Sequence, residues 1–164
     1  MRAPIFKTLV AVLLLGLAGA VGANGLQAAS DLAADAGAAR QRSVPILVMF
    51  NAKGCPYCHV VREYYVEPLA RSPQFGDRVI LRVVDVDGYD RLVDFDGSVT
   101  DHSAFASRHS VTLTPVLKFF GPDGRELAPQ LIGLTTEDFY GWYLEQRLSD
   151  ALDRLRVNRQ ARRD

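Results

Sequence analysis

Residues 51–60 read NAKGCPYCHV, and two incompatible chemistries share the letters CPYCH. Cys55, Cys58 and His59 spell C-x-x-C-H, the attachment pattern of a c-type haem, in which both sulfurs are consumed in thioether bonds. Cys55-Pro56-Tyr57-Cys58 alone spells a pair of thiols that cycles between dithiol and disulfide. What precedes and follows the motif decides between them.

Upstream, Val44-Pro-Ile-Leu-Val-Met-Phe50 is a continuous apolar run of strand length, suited to a strand covered on both faces. The chain turns through Asn51–Gly54, and a helix is predicted from Cys55–Pro56, where the missing N–H of Pro56 costs nothing. This helix carries Val60, Val61, Tyr64 and Tyr65, and Pro68 is expected to kink or end it.

Downstream, residues 78–85 read as a second buried strand. Residues 87–110 are more polar. They hold an Asp-Gly turn at 96–97 between short β-like pieces, then a short helix over 101–109. Residues 116–120 form a third strand, Gly121-Pro-Asp-Gly124 a tight turn, and 125–133 a fourth strand, in which Pro129 marks an edge or a bulge. A last helix starts with Thr135 as N-cap and Asp138 three residues on. Its apolar stripe is read as Phe139, Trp142, Tyr143, Leu148, Leu152 and Leu155. The predicted fold is α/β, a four-stranded mixed sheet flanked by helices on both faces.

The whole chain supplies the setting. Its 164 residues suit one domain, and 19 basic against 19 acidic residues leave no surplus for nucleic acid. Arg2 and Lys7 precede an uncharged apolar run from Thr8 to Ala23, followed by small residues. This is the form of an export signal over residues 1–23, with an uncleaved anchor as the alternative. Its removal takes two bases and no acid, leaving a net charge of −2. Residues 24–43, rich in Ala, read as a linker or a short marginal helix. Residues 44–157 are assigned to the domain, and 158–164 to a basic tail. Export places the protein in the periplasm, where disulfides persist. The only two cysteines lie two residues apart, and so short a loop yields little entropic stabilisation. Compartment and spacing both favour a reactive pair over a structural staple.

Haem needs His59 as one axial ligand and usually a second from elsewhere. Met49 lies inside a strand, and His102 and His109 lie in the short polar helix. A strand leading into the motif and a sheet after it do not suit a small helical cytochrome, so no haem is expected. In the redox reading, a first sulfur at a helix N-terminus is held as thiolate by the free N–H groups and the macrodipole. Cys55 is then the nucleophile, and Cys58, a turn further on, resolves the mixed disulfide. Pro56 and Tyr57 tune the helix start and contact substrate.

The chain here resembles the thioredoxin superfamily, with its closest likeness to the SoxW-type periplasmic thioredoxins. The residues that carry the resemblance are PILVMFNAKGCPYC (45–58), VTLTPVLKFFGPDGREL (111–127) and IGLTTEDF (132–139), within residues 44–150 or so. The resemblance implies a thioredoxin-like fold, a redox-active Cys55–Cys58 disulfide, and a cis Pro115 lying against that pair. It further implies that the Thr114 backbone pairs with a bound peptide and that Pro115 shields the thiols from metals. The implied activity is thiol–disulfide exchange without cofactor, leaning to protein-disulfide reductase. Implied partners are protein thiols or disulfides and a membrane thiol–disulfide donor or acceptor, with clients in sulfur oxidation or cytochrome c maturation. A disulfide oxidase or isomerase, or a binding scaffold on the same fold, are the alternatives. Two positions depart from the family: Gly54 stands where thioredoxins have Trp, and Met49 where they have a buried Asp.

The remaining polar residues have plainer readings. His59 and Lys53 are expected to face solvent. Asp85, Asp87, Asp90, Asp94 and Asp96 miss the spacing of a calcium loop and read as solvated turns. Tyr64, Tyr65, Trp142 and Tyr143 read as core and rim packing. Zinc needs four ligands, and two Cys with His59 do not supply them, so no metal is expected.

Overall fold

A computed structural model describes residues 26–161. The predicted export signal and the last residues of the basic tail lie outside that range. The strands are β1 (Gln27–Ala28), β2 (Ile46–Asn51), β3 (Ile80–Asp85), β4 (Arg91–Val93), β5 (Val99–Asp101), β6 (Val116–Phe120) and β7 (Glu126–Ile132). The helices are α1 (Leu32–Arg42), α2 (Pro56–Val61), α3 (Glu67–Arg71), α4 (His102–Arg108) and α5 (Glu137–Gln160).

The main sheet has the order β1-β3-β2-β6-β7, and β4 and β5 form a separate hairpin around the predicted Asp-Gly turn. Strands β1, β3 and β2 run parallel; β6 and β7 are antiparallel to their neighbours. The expected α/β class holds, and the sheet has five strands rather than four.

Strand β2 shows why its sequence is apolar throughout. Leu47 and Met49 face one core, with α2, α3 and α5. Ile46, Val48 and Phe50 face the other, with α1, α4 and the hairpin. A central strand covered on both sides has no solvent face on which to place polar residues.

The fifth strand comes from the segment read as a linker or a short marginal helix, of which the helix is what forms. Residues 27–42 form β1 and α1, and Ala29, Leu32, Ala36 and Ala39 are buried. Asp31 caps α1 by accepting from the Ala34 N–H at 2.8 Å. Buried Asp35 on α1 forms an ion pair with Arg82 on β3. The segment reads as a tether because the face it buries is mostly alanine, which gives little hydrophobic contrast along the helix.

Of the two effects expected of Pro68, it distorts the first helix and does not end it. A π-helical turn over Arg62–Val66 joins α2 to α3, with Pro68 in the first turn of α3. The wide turn falls just where the missing N–H of Pro68 interrupts the ladder. The last helix starts at Glu137 with Thr136, not Thr135, as N-cap. It buries Tyr140, Leu144, Leu148, Ala151 and Leu152, while Phe139, Trp142 and Tyr143 are exposed. The buried line runs at i, i+4 and i+8 from Tyr140, so the stripe predicted from sequence has the wrong phase over its first turns. Tyr64 is likewise exposed, whereas Tyr65 packs against Tyr140 at 4.8 Å between ring centroids and donates to the Glu137 carbonyl.

Candidate active site

Strand β2 ends at Asn51, and a tight loop carries the chain into α2. Gly54 takes φ +72° in this loop, a conformation that disfavours any side chain there. This accounts locally for glycine at the position before Cys55. The Cys55 N–H donates to the Ala52 carbonyl at 3.3 Å. Cys55 is the N-cap of α2, with Pro56 in the first helical turn. Its sulfur accepts from the Cys58 N–H at 3.1 Å. A helix N-terminus leaves such N–H groups without intrahelical partners, so they are directed at the first sulfur.

Cys55 and Cys58 are joined as a disulfide, with Cα atoms 5.3 Å apart. Cys55 is partly exposed. Cys58 is 1% exposed and belongs to the same apolar cluster as Met49. The pair is thus asymmetric, with one sulfur at the surface and one in the core. Tyr57 projects into solvent between them at 59% exposure.

The second half of the site comes from far along the chain. Antiparallel pairing of β2 with β6 sets Phe50 opposite Val116, which brings the residues before β6 beside the cysteine loop. The Thr114–Pro115 peptide bond is cis, and Pro115 is buried. The Thr114 hydroxyl lies 3.5 Å from Cys55 Sγ. The Pro115 carbonyl accepts from the Gly133 N–H at 2.7 Å, tying this turn to the end of β7. Cys55, Pro56, Tyr57, Cys58, Thr114 and Pro115 therefore converge at one end of the sheet.

An open cleft beside the disulfide is lined by Asn51, Lys53, Cys58, His59 and Arg62 among others. His59 is exposed, as expected, and pairs with Glu63 at 2.8 Å. Lys53 also faces solvent.

The acidic residues do more than fill solvated turns. The Asp85 carboxylate accepts from Asn51 Nδ2 at 2.6 Å, and that of Asp87 from the Lys53 N–H at 3.1 Å. Both brace the loop that leads into Cys55. Asp94 pairs with Arg108 at 2.6 Å. The Asp96 carboxyl is held below its usual range, first by hydrogen bonding to Ser98. His102 is wholly buried: its Nδ1 accepts from the Asp85 N–H at 3.1 Å, so the ring is the Nε2–H tautomer, donating to the Ala29 carbonyl at 2.7 Å. It ties β1, the end of β3 and α4 together behind the loop. No local pattern marked these residues, because each acts on a backbone group brought near only by folding. Among the described residues, no group of three or more His, Cys, Asp or Glu is placed to hold a metal, and no helix is long and apolar enough to cross a membrane.

Comparison with known proteins agrees with this geometry. The family described as a thioredoxin-like domain matches residues 32–148. No curated protein matches the chain. Among solved structures, thioredoxin from Fasciola hepatica is similar with 22% identity and a TM-score of 0.51, over 76% of this chain and 97% of that one. Thioredoxin O2 from Arabidopsis thaliana in its oxidised state gives 20% identity and 0.52, over 76% and 96%. A poplar thioredoxin h mutant gives 18% and 0.53, over 79% and 87%. At such identities the likeness shows the fold alone.

Proposed function

The chain belongs to the thioredoxin-like domain family, and from that we propose that it is an exported thiol–disulfide oxidoreductase acting as a protein-disulfide reductase. The observation that carries the reading is the asymmetry of the pair: Cys55 half-open at a helix N-terminus, Cys58 buried behind it, and Thr114 against the outer sulfur. In the reduced protein, the Cys55 thiolate attacks one sulfur of a client disulfide. The client S–S bond breaks, a mixed disulfide forms, and one client thiolate leaves. The Cys58 thiolate then attacks Cys55 Sγ, the mixed disulfide breaks, and the second client thiolate departs. Two electrons have passed to the client, and the protein is left as the Cys55–Cys58 disulfide. A dithiol donor reverses that last state, and for an exported protein the donor is a membrane thiol–disulfide carrier.

Export to the periplasm rests on the charged start and apolar run of residues 1–23. The likeness to SoxW-type thioredoxins rests on residues 45–58 and 111–139, and it points to clients in sulfur oxidation or cytochrome c maturation. The test is turbidity from insulin reduction with a dithiol as donor. Catalysis above the donor alone, abolished by Cys55→Ala, is expected. A protein with no turnover, or one that oxidises reduced clients but does not reduce insulin, overturns the reductase reading. Related C-x-x-C proteins span roughly −270 to −120 mV, so an equilibrium potential near the lower end is expected of a reductase.

A further inference from the structure

We propose that the protein forms a reversible two-fold dimer through the outward face of α5, with the helices of the two copies packed antiparallel. Phe139, Trp142 and Val157 are each nearly 60% exposed, and Tyr143 is 40% exposed. At 100° per residue, Phe139, Trp142, Tyr143, Gln146, Asp150, Asp153, Arg154 and Val157 fall on one stripe, turned away from the buried line through Tyr140, Leu144 and Leu148. Apolar residues thus stand at both ends of the stripe with polar ones between.

Charge along α5 selects a second copy. Residues 137–146 contain Glu137, Asp138 and Glu145 and no base, while residues 151–160 contain Arg154, Arg156 and Arg159 against Asp153. A parallel arrangement sets like charges together, and an antiparallel one sets each half against its complement. With the two-fold axis at the middle of the helix, near Leu148, Phe139 meets Val157 of the other copy and Gln146 meets Asp150. Tyr143 stacks under Arg154, Trp142 offers its indole N–H to Asp153, and Asp138 faces Arg156. Every contact occurs twice.

Other occupants fit less well. An anionic membrane surface is repelled by the carboxylates that flank Trp142. Strand addition at the neighbouring edge β7 is opposed by Pro129, which has no N–H to donate, and by the irregular register of β7 against β6. From Phe139 to Val157 the stripe is about 27 Å long and about 10 Å wide, so each copy buries roughly 300 Å², at the small end of weak, transient contacts. A dimer that dissociates on dilution is the consequence.

Trp142 is the only tryptophan, so intrinsic emission reports on this face directly. Sedimentation equilibrium of the purified protein should show a monomer–dimer equilibrium that weakens at high salt, with a blue shift of Trp142 emission as the dimer fills. Val157→Glu should weaken association by about tenfold or more and leave insulin reduction unchanged. Arg156→Glu should weaken it too, and the double variant Asp138→Arg/Arg156→Glu should restore it. A monomer at all concentrations overturns the proposal. So does a dimer indifferent to these variants, or an emission shift that appears only with anionic vesicles. Circular dichroism of each variant checks that the exposed substitutions leave the fold intact.

Discussion

The Thr114 hydroxyl donates to Cys55 Sγ across 3.5 Å, although 59 residues separate the two in sequence. The contact follows from strand register. Phe50 and Val116 are paired neighbours on β2 and β6, so the turn before β6 and the loop after β2 must meet at one end of the sheet. The outer sulfur therefore has two donors, the Cys58 N–H within its own helix and the Thr114 hydroxyl from outside it.

Thr114→Val tests the second donor. Valine keeps the shape and removes the hydroxyl, so the anionic sulfur loses about 1 kcal/mol of hydrogen-bond stabilisation. The reduced variant should react with iodoacetamide at neutral pH about fivefold more slowly, with little change in unfolding midpoint. An unchanged rate would mean that the hydroxyl does not act on the reactive form of Cys55.

The difference in burial between the two sulfurs predicts an asymmetric trap. Cys58→Ala leaves the exposed Cys55 free to attack but removes the internal exit, so mixed disulfides with clients should accumulate. Cys55→Ala leaves a thiol 1% exposed that no bulky client reaches, and few adducts should form. Non-reducing electrophoresis of both variants after expression reads the result. Equal adducts, or adducts from Cys55→Ala alone, would reverse the assignment of nucleophile.

Leu32 is wholly buried on α1 against the second face of the sheet. Leu32→Ala should cost about 2–5 kcal/mol in urea unfolding, the range for a leucine truncated in a packed core. A cost under about 0.5 kcal/mol, as for an ordinary surface substitution, would restore the view that this segment is only a tether.

His109 gives stability a pH dependence of definite sign. Its ring packs on Phe105 and Phe120, at 4.4 and 5.0 Å between centroids. Burial first, and then the charge of Lys118, push its pKa below the ordinary 6.5. The unfolded chain thus binds this proton more tightly than the folded one. The contribution of His109 is complete above 6.5 and is lost as pH falls through the lower folded-state value. His109→Gln should flatten the decline in urea midpoint between about pH 7 and pH 5. A variant whose pH profile runs parallel to that of the wild type would remove His109 as the cause.

Elements whose signal is local were legible in the chain. Strands β2, β3, β6 and β7 appear as apolar runs or alternations within two residues of their observed ends, and the β4–β5 hairpin appears through its Asp-Gly turn. α1 is faint in the sequence because, beyond Leu32, its buried apolar face is only Ala36 and Ala39. The phase of α5 is not legible from its aromatic residues, since Tyr140 is inside while Phe139, Trp142 and Tyr143 are outside. Both faces of that helix are apolar at its start, and periodicity alone cannot say which one meets the sheet.

The sequence by itself determined the chemistry of the pair. Two thiols at i and i+3, with proline between them and a buried strand just before, form one continuous stretch, and local backbone preference suffices to put the first sulfur at a helix start. Only the tertiary structure decided what stands around that pair. Thr114 reaches Cys55, Asp85 and Asp87 brace the loop before it, and His102 fastens the end of β3 to the residue after β1 through strand order and register. These contacts span tens of residues, and they exist because the sheet closes in one register rather than another, a choice made by the whole core and not by any segment of the chain.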